Sequence, residues 1–140
     1  MTTKKLGTSK ITYKFDITPT SQQIIKLYSD AGLPRPTHDP ERIKAMFENS
    51  DLIVTAWDGD NLVGVSRTIT DWVWCSYLAD LAVSPDCKKS GIGKKLIELI
   101  REKIGEQSML LLLSVRTAMD YYPKVGFLRE NRAFIIHRTK

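Results

Sequence analysis

The chain has 140 residues, 42% of them hydrophobic and 26% charged, which is typical of one soluble globular domain spanning residues 1–140. The longest uninterrupted apolar run, Met109 to Leu113, is far too short to cross a bilayer, and no apolar stretch follows the N-terminal lysines, so we expect a cytoplasmic protein without a membrane span. The net charge of +5 favours anionic partners, without choosing among nucleic acid, membrane surfaces and phosphorylated small molecules.

The first third of the chain predicts one strand and two short helices. Residues 11–17 alternate apolar and polar side chains, as a half-buried strand does. A helix follows, with Thr20 as its N-cap and Gly32 as its stop. After a proline-rich loop, Asp39 can cap a second helix that has Pro40 at its first position.

The next segment predicts an antiparallel meander. Residues 52–57 and 62–70 are rich in β-branched and aromatic side chains, and Asp58-Gly59 between them supplies the positive φ of a tight turn. A third β-rich run covers 73–83 and ends before Pro85. The two cysteines, Cys75 and Cys87, lack CxxC spacing, so we expect reduced thiols and no metal site.

The rest of the chain predicts a parallel βαβ unit, followed by a short helix and a last strand. Apolar residues recur at helical spacing over 91–104, and the continuous apolar run in 108–115 indicates a fully buried strand. A short helix closed by Pro123 and Gly126 and a last strand over 133–137 complete the prediction. The fold class is therefore mixed α/β, with an α+β mixed sheet in which a meander joins a parallel crossover.

The loop "CKKSGIGKKL" (87–96) joins the meander to this helix and carries two glycines and four lysines. A helix start offers unpartnered backbone N–H groups and partial positive charge, and glycines at 91 and 93 let an anion approach. The dinucleotide fingerprint fails because Leu96 stands where its third glycine belongs, and the Walker pattern is absent. Phosphate binding and a plain solvated helix start both remain open on spacing alone.

Two segments resemble a known family. "DLAVSPDCKKSGIGKKLIELI" resembles the central motif of the GNAT superfamily of N-acetyltransferases, which is [QR]xxGx[GA] after a strand, and "AMDYYPKVGF" resembles the family's "AxxFYxxxGF". The order of the predicted elements is also similar to that fold over nearly the whole chain. The resemblance implies a single GNAT-like domain with splayed central strands, no metal, and acetyl-CoA as cosubstrate.

The resemblance also implies which residues hold the coenzyme. Backbone N–H groups of the glycine loop would bind its pyrophosphate, and the strand before the loop would pair with pantetheine, with the N–H of Val83 polarising the thioester oxygen. Lys88 stands where the family has Gln or Arg, and lysine lacks their planar geometry. The implied coenzyme-binding residues are Leu81, Ala82, Val83, Lys88, Lys89, Ser90, Gly91, Ile92, Gly93 and Lys94.

Only some of the family's catalytic residues have a match in this chain. Tyr122 matches the family's tyrosine, which protonates the departing thiolate, whereas Tyr121 matches its usual Phe and is interpreted as packing. The position of the glutamate that some members use as a base falls near Tyr77, so Asp80 is the nearest acid. Asp80 is a weak candidate because two-residue alternation points it away from Tyr77 and Leu81 unless the strand bulges, and a water chain is the alternative base.

The acceptor site is the least constrained part of the prediction. Arg35, His38, Trp72 and Trp74 are candidate lining residues, although an ordinary structural explanation is favoured for each. We expect an N-acetyltransferase acting on a primary amine; a non-catalytic acyl-CoA sensor is the alternative. A nucleic-acid-binding domain is disfavoured because no recognition motif is present, and a homodimer is left open.

Overall fold

The computed structural model describes residues 10–87 and 90–140, and these residues form five strands and four α-helices. Two 3-10 turns, Pro85–Cys87 and Arg116–Ala118, join the later elements. In chain order the strands and helices are β1 Thr12–Lys14, α1 Ser21–Ala31, α2 Pro40–Glu48, β2 Leu52–Asp58, β3 Asn61–Thr70, β4 Cys75–Val83, α3 Ile92–Ile104, β5 Met109–Leu112 and α4 Tyr121–Lys124.

The five strands form one sheet in the order β1-β2-β3-β4-β5. Neighbouring strands are antiparallel except β4 and β5, which are parallel. This confirms the predicted mixed sheet, in which a meander is joined to a βαβ unit. No helix among the described residues is long and apolar enough to cross a membrane.

The sheet buries a different helix layer on each face, because successive side chains of a strand point to opposite sides. On one face, Val54 and Ala56 of β2 pack with the apolar side of α3. On the other face, Ile53 of β2 and Val65 of β3 pack with α1 and α2. The result is three layers around two clusters of apolar side chains.

Local signals determine where the first two helices begin and end. The Thr20 side chain accepts from Gln23 N–H at 3.1 Å and Gln23 Oε1 accepts from Thr20 N–H at 2.9 Å, which completes a capping box. Gly32 ends α1 in the left-handed conformation, at φ 72°. Asp39 caps α2 through Arg42 N–H at 3.1 Å. The predicted starts of both helices and the predicted stop of α1 are confirmed.

Three predicted elements differ from the structure. The strand predicted over 108–115 is present as β5 and is parallel to β4, but its predicted full burial is wrong. β5 covers only Met109–Leu112 and is half-buried as the last strand of the described sheet, and Leu113 after it is 50% exposed. The strand predicted over 133–137 is also wrong: that segment is exposed and pairs with nothing in the described residues. Pro123 lies inside α4 instead of ending it, since a proline in a first helical turn gives up no intrahelical hydrogen bond.

Candidate functional site

A cleft opens where β4 and β5 part. The two strands pair only as far as Leu78 with Leu112, while β4 continues to Val83. The cleft has a volume of about 330 Å³. Its walls come from the end of β4, the segment after β5, the end of α1 with the loop that follows, the start of α3, and α4. The lining residues are Ala31, Gly32, Leu33, Arg35, Leu78, Ala79, Leu81, Ala82, Val83, Gly93, Leu112, Leu113, Val115, Thr117, Ala118, Tyr121 and Tyr122.

The β4 wall presents backbone donors to the cleft. Ser84 N–H donates to the Val63 carbonyl at 2.8 Å, so this backbone group faces β3. Because backbone groups alternate in direction along a strand, the N–H groups of Leu81 and Val83 face the opposite edge, where β5 no longer pairs. All three predicted strand residues, Leu81, Ala82 and Val83, line the cleft.

The start of α3 is a second group of backbone donors. Gly91 is its N-cap at φ 83°, and no side chain caps it; the first intrahelical bond runs from Lys95 N–H to the Gly91 carbonyl at 3.0 Å. The first-turn N–H groups therefore have no intrahelical acceptor. The Ile92 side chain is buried, whereas Lys94 is exposed. Ser90 closes the preceding turn, since both its N–H and its hydroxyl donate to the Cys87 carbonyl. The predicted Lys88 and Lys89 lie outside the described residues.

Gly93 brings α3 close to both walls of the cleft. A Cβ placed at Gly93 would lie 2.7 Å from the Tyr121 hydroxyl and 3.8 Å from Val83 Cγ2. The absence of a side chain at Gly93 thus permits a tyrosine hydroxyl to sit against the helix start. Tyr121, interpreted from the sequence as packing, lines the cleft together with the predicted Tyr122.

Tyr122 is held by two aromatic neighbours. Its ring makes edge-on contacts with Tyr121 at 5.2 Å and with Phe127 at 5.5 Å between ring centroids. Burial first, and then the neighbouring Tyr121, raise the pKa of Tyr122, against a smaller lowering effect of Arg35. The phenol therefore keeps its proton at neutral pH, as a proton donor must.

Asp80 is buried and fully engaged. Its side chain is 0% exposed, and it accepts from Arg35 Nε at 2.6 Å, from Arg67 Nε at 2.7 Å and from the Tyr28 hydroxyl at 2.7 Å. Burial disfavours the charged carboxylate, but hydrogen bonds and positive charge from Arg67, and then Arg35, outweigh it and lower the pKa of Asp80. A carboxylate held in this way is a poor proton acceptor.

The strand does bulge beside Asp80. Arg67 of β3 faces Asp80, but the next residue, Thr68, faces Leu78, so Ala79 is the extra residue. The bulge sends Leu78 and Leu81 to the α3 face although they are three positions apart. Arg35 Nη2 donates to the Ala79 carbonyl at 2.8 Å and so bonds to the bulge itself as well as to Asp80.

The other predicted acceptor residues do not join the cleft lining. His38 is exposed in the loop before α2. Trp72 and Trp74 lie in the connection before β4, at the opposite end of that strand from the cleft, and are 43% and 76% exposed. Trp72 has φ 72°, and three backbone N–H groups, those of residues 73–75, donate to Asp71 Oδ1 and hold this connection in place. Of the four candidates, Arg35 alone lines the cleft.

The sequence predicted the loop after α1 as part of the site, through Arg35, but it missed the place of Tyr121 in the cleft lining. Residues 31–33 form part of the cleft because α1 packs over β3 and β4. That packing cannot be predicted from a local sequence pattern. Tyr121 carried a local signal, since two consecutive tyrosines after the same turn can both reach one cavity. Arg35 and Asp80 were both named from the sequence, but their pairing with each other was not predicted.

Comparison with known proteins identifies the family. The model of the acetyltransferase (GNAT) domain matches residues 17–136. An uncharacterized N-acetyltransferase of Pyropia yezoensis, ycf52, is 26% identical, with 86% of this chain and 75% of that protein covered. A probable acetyltransferase of Staphylococcus aureus has the same fold, with 24% identity, a TM-score of 0.79 and coverage of 92% of this chain and 100% of that one.

The fold is also shared with an aminoglycoside acetyltransferase from an uncultured soil sample, solved in complex with sisomicin. That structure is 17% identical, with a TM-score of 0.64 and coverage of 93% and 96% of the two chains. The family match spans the meander, the glycine loop, α3 and the tyrosines of α4, which are the elements that build the cleft. This chain is therefore a member of the GNAT family of acetyltransferases.

Proposed function

We propose that this protein is an acetyl-CoA-dependent N-acetyltransferase that moves an acetyl group to a primary amine of a small molecule or peptide, by direct attack in a ternary complex. The cleft between β4 and β5 carries the proposal. It combines strand N–H groups beyond the last pair with β5, the start of α3, which no described side chain caps, and two tyrosines in one cavity. These groups suit a ligand with an extended amide-containing arm and a phosphate end.

Each group has a defined task in the proposed reaction. The amine nitrogen forms a bond to the thioester carbonyl carbon, and the N–H of Val83 stabilises the resulting oxyanion. The carbon–sulfur bond then breaks, and Tyr122 gives its proton to the departing thiolate and regains one from solvent. The raised pKa of Tyr122 keeps this proton in place until the thiolate forms. N–H groups of the glycine loop, with the basic side chain of Lys94 nearby, hold the pyrophosphate.

The amine must lose a proton before or during its attack, because an alkylammonium with a pKa of about 10.4 is almost fully charged at neutral pH. Asp80 is engaged by three donors, so we propose water, rather than Asp80, as the path for this proton. Arg35 supports the loss, since a positive charge in the cleft favours the neutral amine. Asp80 then acts as a positioning residue that holds Arg35 and the bulge.

The direct experiment supplies acetyl-CoA and a panel of primary amines, peptides and aminoglycosides, and measures free thiol over time. Titration calorimetry with acetyl-CoA alone measures coenzyme binding separately. We expect binding in the absence of acceptor and thiol release with a subset of the amines. A chain that binds no acetyl-CoA would rule out the proposal.

Replacement of the proposed proton donor tests the mechanism. Tyr122→Phe removes only a hydroxyl, so we expect kcat to fall by about 10²-fold, while the affinity for acetyl-CoA stays within about twofold. Tyr77→Phe is the matched control, because Tyr77 lies on β4 outside the cleft lining and should leave kcat unchanged. Unchanged kcat in Tyr122→Phe would contradict this assignment.

A non-catalytic acyl-CoA sensor is the second candidate, and one observation favours it. Among the described residues, no carboxylate or histidine side chain lines the cleft, so no evident base faces an acceptor. A sensor would bind acetyl-CoA normally and transfer its acetyl group to no amine in the panel. The calorimetric and thiol measurements together therefore separate the two candidates.

A further inference from the structure

The cleft between β4 and β5 has walls on both faces of the sheet. Leu81 and Val83 of β4 pack with the apolar cluster on the α3 face, whereas Ala82 between them packs with the cluster on the α1 face. The start of α3 and the tyrosines of α4 line the cleft on the first side, and residues 31–33 and Arg35 line it on the second. Because the proposed coenzyme site is at the start of α3, the side next to α1 is left for the acceptor.

Arg35 is the one charged residue in the described lining of this cleft. Its side chain is 23% exposed. Nε donates to Asp80, Nη1 donates to the Pro34 carbonyl at 2.7 Å, and Nη2 donates to the Ala79 carbonyl at 2.8 Å. A guanidinium has five N–H donors. Two of them therefore have no acceptor in residues 10–87 or 90–140 and are left for a ligand.

The charges around Asp80 do not cancel. Asp80 carries one negative charge and pairs with two arginines, Arg35 and Arg67, while Tyr28 adds a neutral donor. These side chains together have an excess of one positive charge. The Arg67 side chain is 11% exposed and does not line the cleft, so the excess charge reaches the cleft through Arg35. A negatively charged ligand group at Arg35 would balance it.

We propose that the acceptor is a small amine that also carries a carboxylate, and that Arg35 binds this carboxylate while the amine faces the thioester. This inference rests on the proposed acetyl transfer. A polyamine or an aminoglycoside would need carboxylates for its other ammonium groups, and none lines the cleft in the part of the chain that the structure describes. The cleft volume of about 330 Å³ suits a small ligand.

The geometry of β4 also constrains the spacing within the acceptor. Arg35 bonds the Ala79 carbonyl, whereas the proposed oxyanion donor is the N–H of Val83. These two residues are four positions apart on β4, which spans at most roughly 13 Å. The amine and the carboxylate must therefore be separated by several bonds, as in an ω-amino acid.

A matched set of acceptors tests the inference. 5-Aminopentanoate, 5-aminopentanamide and 1,5-diaminopentane have the same five-carbon chain and differ in the group opposite the amine. With acetyl-CoA we expect kcat/KM to be at least about tenfold higher for the acid than for the amide, and lowest for the diamine. The acids from 4-aminobutyrate to 6-aminohexanoate, each with its amide, give the best chain length.

Two arginine variants show whether Arg35 is responsible. Arg35→Met should reduce the acid-to-amide ratio of kcat/KM to about one, and Arg35→Lys should keep part of it because the charge remains. Arg67→Met is the matched control: it also removes a partner of Asp80, but outside the cleft lining, and should keep the ratio. The ratio compares two acceptors on one protein, so a smaller folded fraction does not change it. Loss of the hydrogen bond to Ala79 alone would slow both acceptors equally.

Acceptor binding gives a second measurement that needs no transfer. Calorimetric titration of the same acids into protein saturated with coenzyme A should show binding to the native chain and its loss in Arg35→Met. No binding of any acid, together with no transfer to one, overturns the inference.

The remaining outcomes separate this inference from the proposed function. Equal kcat/KM for acid and amide at every chain length, or a ratio that Arg35→Met leaves unchanged, overturns the inference, while thiol release with any amine still supports acetyl transfer. A chain that binds no acetyl-CoA instead overturns the proposed function itself, and the inference with it. Faster transfer from succinyl-CoA than from acetyl-CoA to the amide would place the carboxylate on the acyl group and overturn its assignment to the acceptor.

Discussion

Asp80 is a carboxylate whose surroundings decide its role. It is completely buried, and three side chains from α1, the loop after it and β3 donate to it. Removal of either arginine would take away one hydrogen-bond donor and part of the positive charge that offsets the burial of Asp80, which is costly. The two arginines differ at the cleft: Arg35 bonds the Ala79 carbonyl and lines the cleft, whereas Arg67 does neither.

This difference gives a paired prediction. We expect Arg35→Met and Arg67→Met each to lower the free energy of unfolding by about 2–4 kcal/mol, since each removes one partner of Asp80. Arg35→Met should in addition raise KM for substrate or lower kcat, because the bulge loses a hydrogen bond at Ala79. Urea unfolding and steady-state kinetics measure the two effects, and equal kinetic parameters in the two variants would contradict a positioning role for Arg35.

At the scale of elements, β3 and α3 pack unusually closely through Gly64. A Cβ at Gly64 would lie 2.9 Å from Ile92 Cγ2, 3.2 Å from Ala56 Cβ and 3.3 Å from Leu96 Cδ1. The first of these distances is shorter than real side chains allow, so the Ile92 side chain, or α3 with it, must shift if residue 64 gains a methyl group. Because Ile92 is the first residue of α3, the shift would reach the glycine loop.

We therefore expect Gly64→Ala to destabilise the protein by about 1–3 kcal/mol through overpacking, and to weaken acetyl-CoA binding as the start of α3 moves. Ile92→Ala alone should cost about 2–5 kcal/mol because it leaves a cavity. The double variant should be more stable than the sum of the two changes predicts, since the new methyl occupies part of that space. Simple additivity in urea unfolding would show that the two sites do not touch.

Helix ends are easier to predict from this sequence than strands are. The capping box of Thr20 and Gln23 and the left-handed Gly32 depend on contacts within a few residues, so their sequence pattern is enough to predict them. Segment 133–137 has an equally clear β pattern, yet it forms no strand in the described chain. A strand needs a neighbouring strand, and a run of apolar residues does not say whether one is present.

At the scale of the whole molecule, the Asp80 cluster links stability to pH. The folded state lowers the pKa of Asp80 below its usual value, so the stabilisation is fully present above the unfolded pKa of about 3.9 and is lost as pH falls through the lower folded value. We expect the unfolding free energy of the native protein to drop below about pH 4. The cluster ties α1, β3 and β4 together, so its loss affects the whole fold.

Asp80→Asn tests this linkage. It should cost about 3 kcal/mol at neutral pH, because Arg35 and Arg67 lose their counter-charge, and it should flatten the pH dependence in the acid range. Asp30→Asn is the matched control: Asp30 pairs with Lys26 on the exposed face of α1 and should change stability by less than about 0.5 kcal/mol. Urea unfolding as a function of pH gives both curves. An Asp80→Asn curve parallel to that of the native protein would contradict the assignment.

Sequence alone determined the features that depend on short spacings: the helix caps, the hairpin at Gly59, the glycine loop before α3 and the tyrosine segment of α4. These are built from residues a few positions apart, so they can be recognised without the fold. The tertiary structure decided which groups meet. Tyr28 and Asp80 are 52 positions apart, Tyr121 reaches Gly93 across the cleft, and no strand in residues 10–87 or 90–140 pairs with the outer edge of β5. Such contacts depend on how the sheet and helices pack, and therefore on the whole chain.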